Sequence, residues 1–549
     1  MQDSNLKKLN TTRIRIMFAL SMFFTGAAGL VNEYVLSTVS SYILGNTIEQ
    51  FSVTIALMLG AMGAGGWIQK YFNDEDLVYK FLKLELTLAL LGGFAPIVMY
   101  AAFGYLPVHF ALIQYFFIIS IGLLIGFEIP FLIRINENFS DSLKGNVSLI
   151  LAADYLGSLV GAYVWVYLLL PYVHLVEISF ILSGLNLMIA VMTILVIERS
   201  TRTVVPAVIV TAIMLMGYTQ VKDWSVALEQ KLYPDKIIYS QKTKYQKLTV
   251  TQDKDMSEIR LYINGNTQFA SRDEHRYHDN LVSPIMALVK GEKSALVFGG
   301  GDGMAVRDLK KNPMIKDISL IDLDEGMIKL FKTEKVLTDL NENAFENVNF
   351  IKPEFVIDTN DTKTLFRKGE EIGTVNVVNI DADKFLHSII GKGKKWDIII
   401  IDFPDPSNVD LAKLYSKEFY LKVKMVLKKG GMFVVQSTSP YHAKESFLTI
   451  GRTIEAAGFD TLPYHDNVPA FGDWGWWVAW NKNDMTKAEV FAKIENIEFE
   501  TDTNYLTESK FRSNFFFGRG ELTSKYTDIN TLMRPVLLQR YIKDSWKTY

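Results

Sequence analysis

The sequence predicts a chain in two parts: an N-terminal α-helical transmembrane bundle, then a doubly wound α/β domain entered through a small N-terminal β-subdomain. Three observations predict this. Long apolar runs follow one another up to about Tyr218; beyond Asp223, charged and apolar residues mix as in a water-facing domain; from Ser294 onward, short buried-strand patterns alternate with helical ones. At 549 residues the chain is too long for one ordinary domain. The expected divisions are 1–220 for a multi-pass membrane bundle of about seven helices, 221–290 for a linker and β-hairpin subdomain, 291–482 for the wound domain, and 483–549 for a helical appendage.

Seven runs approach or exceed the length needed to cross about 30 Å of hydrocarbon. They are Ile16–Leu36, Phe51–Phe72, Leu84–Phe103, Val108–Phe127, Val147–Leu170, Leu175–Ile197 and Thr203–Tyr218, the last being the shortest and containing Pro206. Small residues cluster at Gly60-Ala61-Met62-Gly63-Ala64-Gly65-Gly66 and at Gly157-Ser158-Leu159-Val160-Gly161-Ala162, a spacing that lets helix backbones approach closely. Glu33, Glu85, Glu128 and Asp154 lie in or at the ends of these runs. A carboxylate in the hydrocarbon costs about 2.5–3.5 kcal/mol on insertion scales, so each needs a partner or a wet cavity. Glu85 lies near a boundary and reads as interfacial; Glu33, Glu128 and Asp154 serve either as helix–helix hydrogen bonds or as a cation site inside the bundle.

Within the C-terminal part, Lys247–Tyr262 alternates as strands do, and Asn264-Gly265 is a hairpin turn. Ser294–Phe298 is a first buried strand and Met304–Lys311 a helix; Ile318–Leu323 is a second strand, followed by a helix from Glu325 to about Lys332. Asn376–Ile380 is a third strand and Trp396–Asp402 a fourth, apolar enough to be buried on both faces. Leu414–Leu427 is helical and Gly431–Gln436 is a fifth strand. Strands alternating with helices imply a parallel sheet whose site lies at the C-terminal strand ends.

Acids occupy those ends. The loop Gly299-Gly300-Gly301-Asp302-Gly303 follows the first strand, Asp322 and Asp324 end the second, Asp381 follows the third, and Asp402 and Asp405 follow the fourth. The glycines let backbone approach a ligand. The loop lacks the lysine and hydroxyl of a phosphate loop, and Asp302 would repel a pyrophosphate, so a ligand carrying positive charge is indicated. Any one of these acids alone reads as a loop cap; four strand ends together form an acidic crevice. A net charge of −3 with no basic stripe argues against nucleic acid, and the absence of cysteine removes disulfides and thiolate metal sites. The first apolar run is too long for a cleavable signal peptide.

These residues resemble a known family. The segments VFGGGDGMAVRDLKK, LIDLDEGMIKL, IDADKFLH, IDFPDPSNVDLAKLYSKEFY, YQKLTV, QFASRDEHRYHD, VVQSTSPY and PYHDNVPAFGDWGWW, from about Tyr245 to Ala479, look like the spermidine synthase (polyamine aminopropyltransferase) family. Specifically, they look like its branch with an N-terminal multi-pass membrane region. The resemblance implies a Rossmann-like, methyltransferase-type fold. It also implies transfer of the aminopropyl group of decarboxylated S-adenosylmethionine, a co-substrate rather than a bound cofactor, to putrescine or a related diamine. No metal is implied, and a homodimer is the candidate assembly. Carried over position by position, Asp402 is the proton acceptor; Gln246, Gln268, Tyr277, His278, Asp302, Asp405 and Tyr415 contact substrate. Gln246, Gly299, Gly301, Asp322, Asp381 and Ala382 line the methylthioadenosine portion. Two positions depart from the soluble enzymes: Asp322 stands where glutamate is usual and Ala382 where glycine is usual. Phe403-Pro404 replaces small polar residues beside the base. Trp474, Trp476 and Trp477 either wall the amine channel or pack the final strand, the second being preferred.

Two other readings remain open on sequence: an S-adenosylmethionine-dependent methyltransferase on the same fold, and a polyamine transporter or sensor whose soluble part only binds. Topology poses a conflict. Lys7, Lys8, Arg13, Arg15, Lys70, Lys80, Lys83, Arg134, Lys144, Arg199 and Arg202 all fall on one side of the alternation, and the three intervening short loops hold neither Lys nor Arg. The positive-inside rule therefore puts the N-terminus in the cytoplasm, and seven spans would export the C-terminal part. A cytoplasmic catalytic part on the inner membrane is expected if Thr203–Tyr218 does not span.

Overall fold

The computed structural model describes residues 2–44, 47–137, 139, 142–197, 199–366 and 374–544, and the chain forms two compact units, Met1–Lys236 and Ile237–Tyr549. The first contains seven long helices: α1 Gln2–Leu44, α2 Thr47–Ile68, α3 Leu77–Tyr105, α4 Phe110–Glu137, α5 Leu143–Val164, α6 Leu175–Val196 and α7 Thr201–Gln230. Each supplies a stretch long and apolar enough to cross a membrane. The glycine clusters are where backbones meet. A Cβ on Gly161 would lie 2.9 Å from Ala27, and one on Gly157 would strike the Phe23 carbonyl, so α5 packs directly on α1. In the other cluster, Gly65 packs on the Leu123 carbonyl of α4, while Gly60 and Gly63 face open space.

The last helix is longer than the apolar run from which it was read. It begins with Arg202 paired to Asp76 at 3.0 Å. At mid-length Met214 lies against Gly93, and just beyond its end Lys231 lies against Gly104. Thus α7 accompanies α3 from end to end and does not stop short. The sequence hid this because Thr219–Gln230 is polar, although helical.

The second unit opens with a four-stranded sheet in the order β1 (Lys236–Lys242), β2 (Lys247–Gln252), β3 (Ile259–Ile263), β4 (Asn266–Ala270). Asn264 and Gly265 both take positive φ in the β3–β4 turn, as a type I′ turn requires. Next come α8 Glu274–Leu288, β5 Lys293–Gly299, α9 Met304–Lys310, β6 Ile315–Asp322, α10 Glu325–Thr333, β7 Asn349–Phe350, β8 Thr374–Asn379, α11 Ala382–Ile389 and β9 Trp396–Asp402. These are followed by α12 Lys417–Val426, β10 Leu427–Gln436, α13 Lys444–Ala456, β11 Phe459–Val468 and β12 Gly472–Asn481. The eight strands lie in the order β11-β12-β10-β9-β5-β6-β8-β7. Five expected strands are present, but the sheet is mixed rather than wholly parallel. With no helix between them, β11 and β12 pair as an antiparallel hairpin, and β12 runs antiparallel to β10. Ile398, Ile399, Ile400 and Ile401 of β9 are all fully buried, alternately in two cores above and below the sheet. Winding goes outward from β5 through β6 in one direction and through β9 in the other, so the topological switch point lies between β5 and β9.

The C-terminal segment has, among the described residues, three short helices, α14 Lys487–Glu495, α15 Glu508–Ser513 and α16 Val536–Asp544, joined by irregular chain with turns and bends. It is therefore less helical than expected, and it packs on the wound domain.

Candidate active site

At the switch point Gly299 pairs in register with Asp402. Gly299 has φ +76°, and a Cβ there would strike the Asp402 carbonyl oxygen, so only glycine lets β5 turn away this close to β9. The loop then folds back over the acids. The amide of Gly301 donates to Asp322 Oδ2 at 3.0 Å, and a Cβ on Gly301 would lie 2.7 Å from that oxygen. Asp324 N donates to Asp322 Oδ1 at 2.7 Å, fixing the carboxylate at the tip of β6. Burial pushes the Asp322 carboxyl up to about 7, against the two amides that favour its charged form. Asp302 accepts from the Met304 amide at 3.0 Å at the start of α9.

Asp402 is partly buried at the end of β9. Its Oδ1 accepts the Tyr277 hydroxyl, and its Oδ2 faces the glycine loop, 3.5 Å from where a Cβ of Gly300 would be. Burial and the Asp302 carboxylate raise its pKa to about 6, while His278 and the Tyr277 hydrogen bond pull it back. With its pKa at about 6 the carboxyl group favours its charged form at neutral pH, with one oxygen anchored and the other turned towards the loop.

Tyr277 and His278 come from α8. His278 is 2% exposed, and its Nδ1 lies 2.8 Å from Glu274 Oε2, one helical turn earlier. Burial alone would lower the imidazole pKa, but Glu274, with Asp302 and Asp402 beyond it, raises it to about 9. A cation is thus held among the acids. Glu274 is itself clamped by Arg307 at 2.8 and 3.1 Å, and Arg307 also grips Asp308 at 2.8 and 3.0 Å. Sequence reasoning missed Glu274 and Arg307 as site residues. The signal available was the Glu-x-x-x-His spacing in EHRYH, which on a helix puts acid and imidazole on one face.

The remaining expected residues fall around this centre. Gln246 reaches Asp324, which also accepts from Thr243 Oγ1 at 2.8 Å, so the β-subdomain meets the β6–α10 turn. Asp381 caps α11 through the Lys384 amide at 3.0 Å and pairs with Lys413 at 2.8 Å, with buried Ala382 following it. Burial favours its neutral form, but Lys413 and the cap hold its pKa below the ordinary value. The loop-cap role weighed for a lone acid is thus one that Asp381 does fill. Asp405 accepts from Tyr541 at 2.9 Å, and Tyr415 from Gln436 Nε2 at 2.7 Å. The tail thereby reaches the site through α16, which the sequence did not signal. Gln268 is half-buried at the bulge in β4, and among the described residues no bond joins it to this rim. Phe403 turns into the core against Phe298, Tyr415 and Phe419. Trp477 stacks on Phe447 and donates to its carbonyl at 3.0 Å, and Trp476 stacks on Tyr464 while backing Tyr277 at 5.7 Å. Both pack the strand, the preferred alternative.

Comparison with known proteins follows the same line. The family described as spermine/spermidine synthase domain matches residues 274–493. A polyamine aminopropyltransferase of Leptospira interrogans is 36% identical over 488 residues, 87% of this chain and 91% of that protein. One from Oceanobacillus iheyensis is 34% identical over 529 residues, 95% of this chain and 96% of that protein. A crystal structure of spermidine synthase in complex with the transition state analogue AdoDATO is 21% identical, covers 52% of this chain and 88% of its own, and has a TM-score of 0.42.

Proposed function

Because the chain belongs to the polyamine aminopropyltransferase family, whose donor is decarboxylated S-adenosylmethionine, we propose that it transfers the donor's aminopropyl group to putrescine or a related diamine. The products are spermidine and methylthioadenosine, and the seven apolar helices anchor the enzyme across a membrane. The observation that carries this reading is Asp402, with Oδ1 tied to Tyr277 and Oδ2 turned to the glycine loop at the sheet's switch point.

An alkylammonium has a pKa near that of lysine, about 10.4, and cannot attack carbon until it loses a proton. Asp402 Oδ2 accepts that proton. The freed nitrogen pair forms a bond to the carbon beside the sulfonium, and the C–S bond breaks with its electrons passing to sulfur. The cation becomes a neutral thioether, and the departing proton is on Asp402. Asp302 and Asp405 hold the ammonium groups, and Tyr277, Tyr415 and His278 line the amine path. Asp322 takes the ribose hydroxyls through the lone pairs that Gly301 and Asp324 leave unused, while Gly299 and Gly301 give the donor room. Gln246, Asp381 and Ala382 border the methylthioadenosine portion, and Gln268 approaches from β4. An acid-lined crevice suits a dicationic donor and a dicationic acceptor.

Purified protein given decarboxylated donor and putrescine is expected to release methylthioadenosine. Asp402→Asn keeps the hydrogen-bonding shape but not the base, and is expected to lower kcat by about 10²–10⁴-fold with an unchanged melting temperature. Full turnover by that variant, or release only of S-adenosylhomocysteine from intact S-adenosylmethionine, refutes the assignment.

A further inference from the structure

The membrane-type unit buries a set of oxygen atoms that the transfer reaction does not use. Both carboxylate oxygens of Glu85, Oε2 of Glu128, and the hydroxyls of Ser21 and Thr25 are buried with no hydrogen-bond partner among the described residues. Glu85 is 0% exposed and Glu128 1%. Buried polar atoms are nearly always paired, so five together call for an occupant.

Contacts between helices bring the carboxyl groups level with Thr25, and Ser21 stands one turn away on α1. Gly92 of α3 stands beside Asn32 of α1. These two helices run in the same direction, so two turns back on each brings Glu85 level with Thr25. Ile125 of α4 lies against Gly29, and α4 runs the opposite way, so Glu128 comes level with Gly26. Asp154 of α5 lies at that same glycine, where a Cβ would be 2.7 Å from its Oδ1. Glu128 accordingly has the carboxyl groups of Glu85 and Asp154 as its neighbours. Glu33 is two turns farther along α1 and stands outside the group.

The chemistry of the set is one-sided. It offers carboxylate and hydroxyl oxygens, and the lysine that this alignment brings to the same level, Lys83 of α3, is exposed and lies over the Tyr79 ring. Arg134 is engaged elsewhere, bonding Gln69 Oε1 and Asp74 where α4 meets the turn after α2. Among the described residues no three acids or imidazoles converge closely enough to hold a metal ion. Acceptors spread over four helices match a cation whose charges are separated along an apolar chain.

We infer that Ser21, Thr25, Glu85, Glu128 and Asp154 form an intramembrane binding site for an alkyl di- or polyammonium ion, separate from the transferase site. The choice of spermidine as probe rests on the proposed reaction; the site itself does not.

The test uses the full-length protein in lipid nanodiscs. A hydrophobic carbodiimide modifies buried carboxyls, and labelling of Glu85 and Glu128 is followed by peptide mass spectrometry. Spermidine at ten times its dissociation constant is expected to slow labelling about ten-fold, and sodium chloride at equal ionic strength is expected to leave it unchanged. In equilibrium dialysis with labelled spermidine, the Glu85→Gln/Glu128→Gln variant is expected to lose one of two bound equivalents while retaining methylthioadenosine release. Labelling that responds to pH but not to spermidine means that the acids hold only protons, and equal protection by sodium means an inorganic cation; either overturns the proposal. Protection in a preparation that makes no methylthioadenosine upholds this site and refutes the transfer reaction instead. Labelling is read on the unsubstituted chain, so poor folding of the variant does not rescue the idea.

Discussion

In the proposed reaction Asp402 and Asp322, at the ends of β9 and β6 on either side of β5, have different tasks, and their ionisation should separate them in kinetics. Asp402 must be charged to take a proton, and its pKa is raised to about 6 by burial and Asp302. The rate constant kcat is therefore expected to fall as pH drops through about 6. Asp322 must be charged to accept ribose hydroxyls, and burial raises it to about 7. The donor's KM is expected to rise first, as pH falls below about 7. His278, at about 9, stays cationic until pH exceeds that value. A group whose folded pKa is raised stabilises the fold fully below its unfolded pKa, about 6.5, and loses that contribution as pH climbs through about 9. Glu274→Gln removes the partner that raises it, so an alkaline loss of activity near pH 9 should move towards neutrality. Initial-rate profiles of both proteins, with donor and amine varied in turn, check all three limbs. The acids were legible because charge at successive strand ends is a pattern in the sequence itself. Glu274 and Arg307 were not, because an inward-facing acid and arginine on two helices look, in one dimension, like ordinary surface residues.

At the scale of elements, the β5–α9 turn fixes where Asp402 can be. Gly299 has positive φ and lies against the Asp402 carbonyl, so alanine there meets both backbone strain and a clash. Gly299→Ala is expected to cost about 2–4 kcal/mol in denaturant unfolding and to depress kcat, since the only relief is to push the end of β9 aside. Gly60→Ala is the matched control: it lies in α2 with open space around it, and a neutral or slightly favourable change is expected there. Both-face burial made β9 readable as a run of isoleucines, and the Asn264-Gly265 turn announced its hairpin. The β11–β12 hairpin was not separated because its strands follow one another without an intervening helix, and the aromatic run of β12 is used in packing. The tail's reach was not legible because Tyr541, on the short helix α16, meets Asp405 across a long separation in sequence that no local pattern signals.

For the whole molecule, the open question was which face the catalytic unit occupies, and the helices bear on it directly. The expectation of a cytoplasmic catalytic part required the last apolar run to stop short. That run is about 24 Å of helix at 1.5 Å per residue, but α7 continues to Gln230 and follows α3 from the Asp76 end to Gly104. With an odd number of crossings the chain leaves the bundle at the face opposite its N-terminus. Basic residues gather on the N-terminal face: Arg134 ties the end of α4 to the α2–α3 turn, and Arg202 sits at Asp76. For a bundle that spans a membrane, as proposed, the positive-inside rule predicts that this face is the cytoplasmic one. Reporters fused before Gln2 and after Tyr549 are therefore expected to give opposite signals, cytoplasmic at the N-terminus and extracytoplasmic at the C-terminus. Two cytoplasmic signals would mean that α7 packs along α3 without crossing. An external N-terminus with a cytoplasmic C-terminus would mean that loop charge does not set the orientation of this bundle.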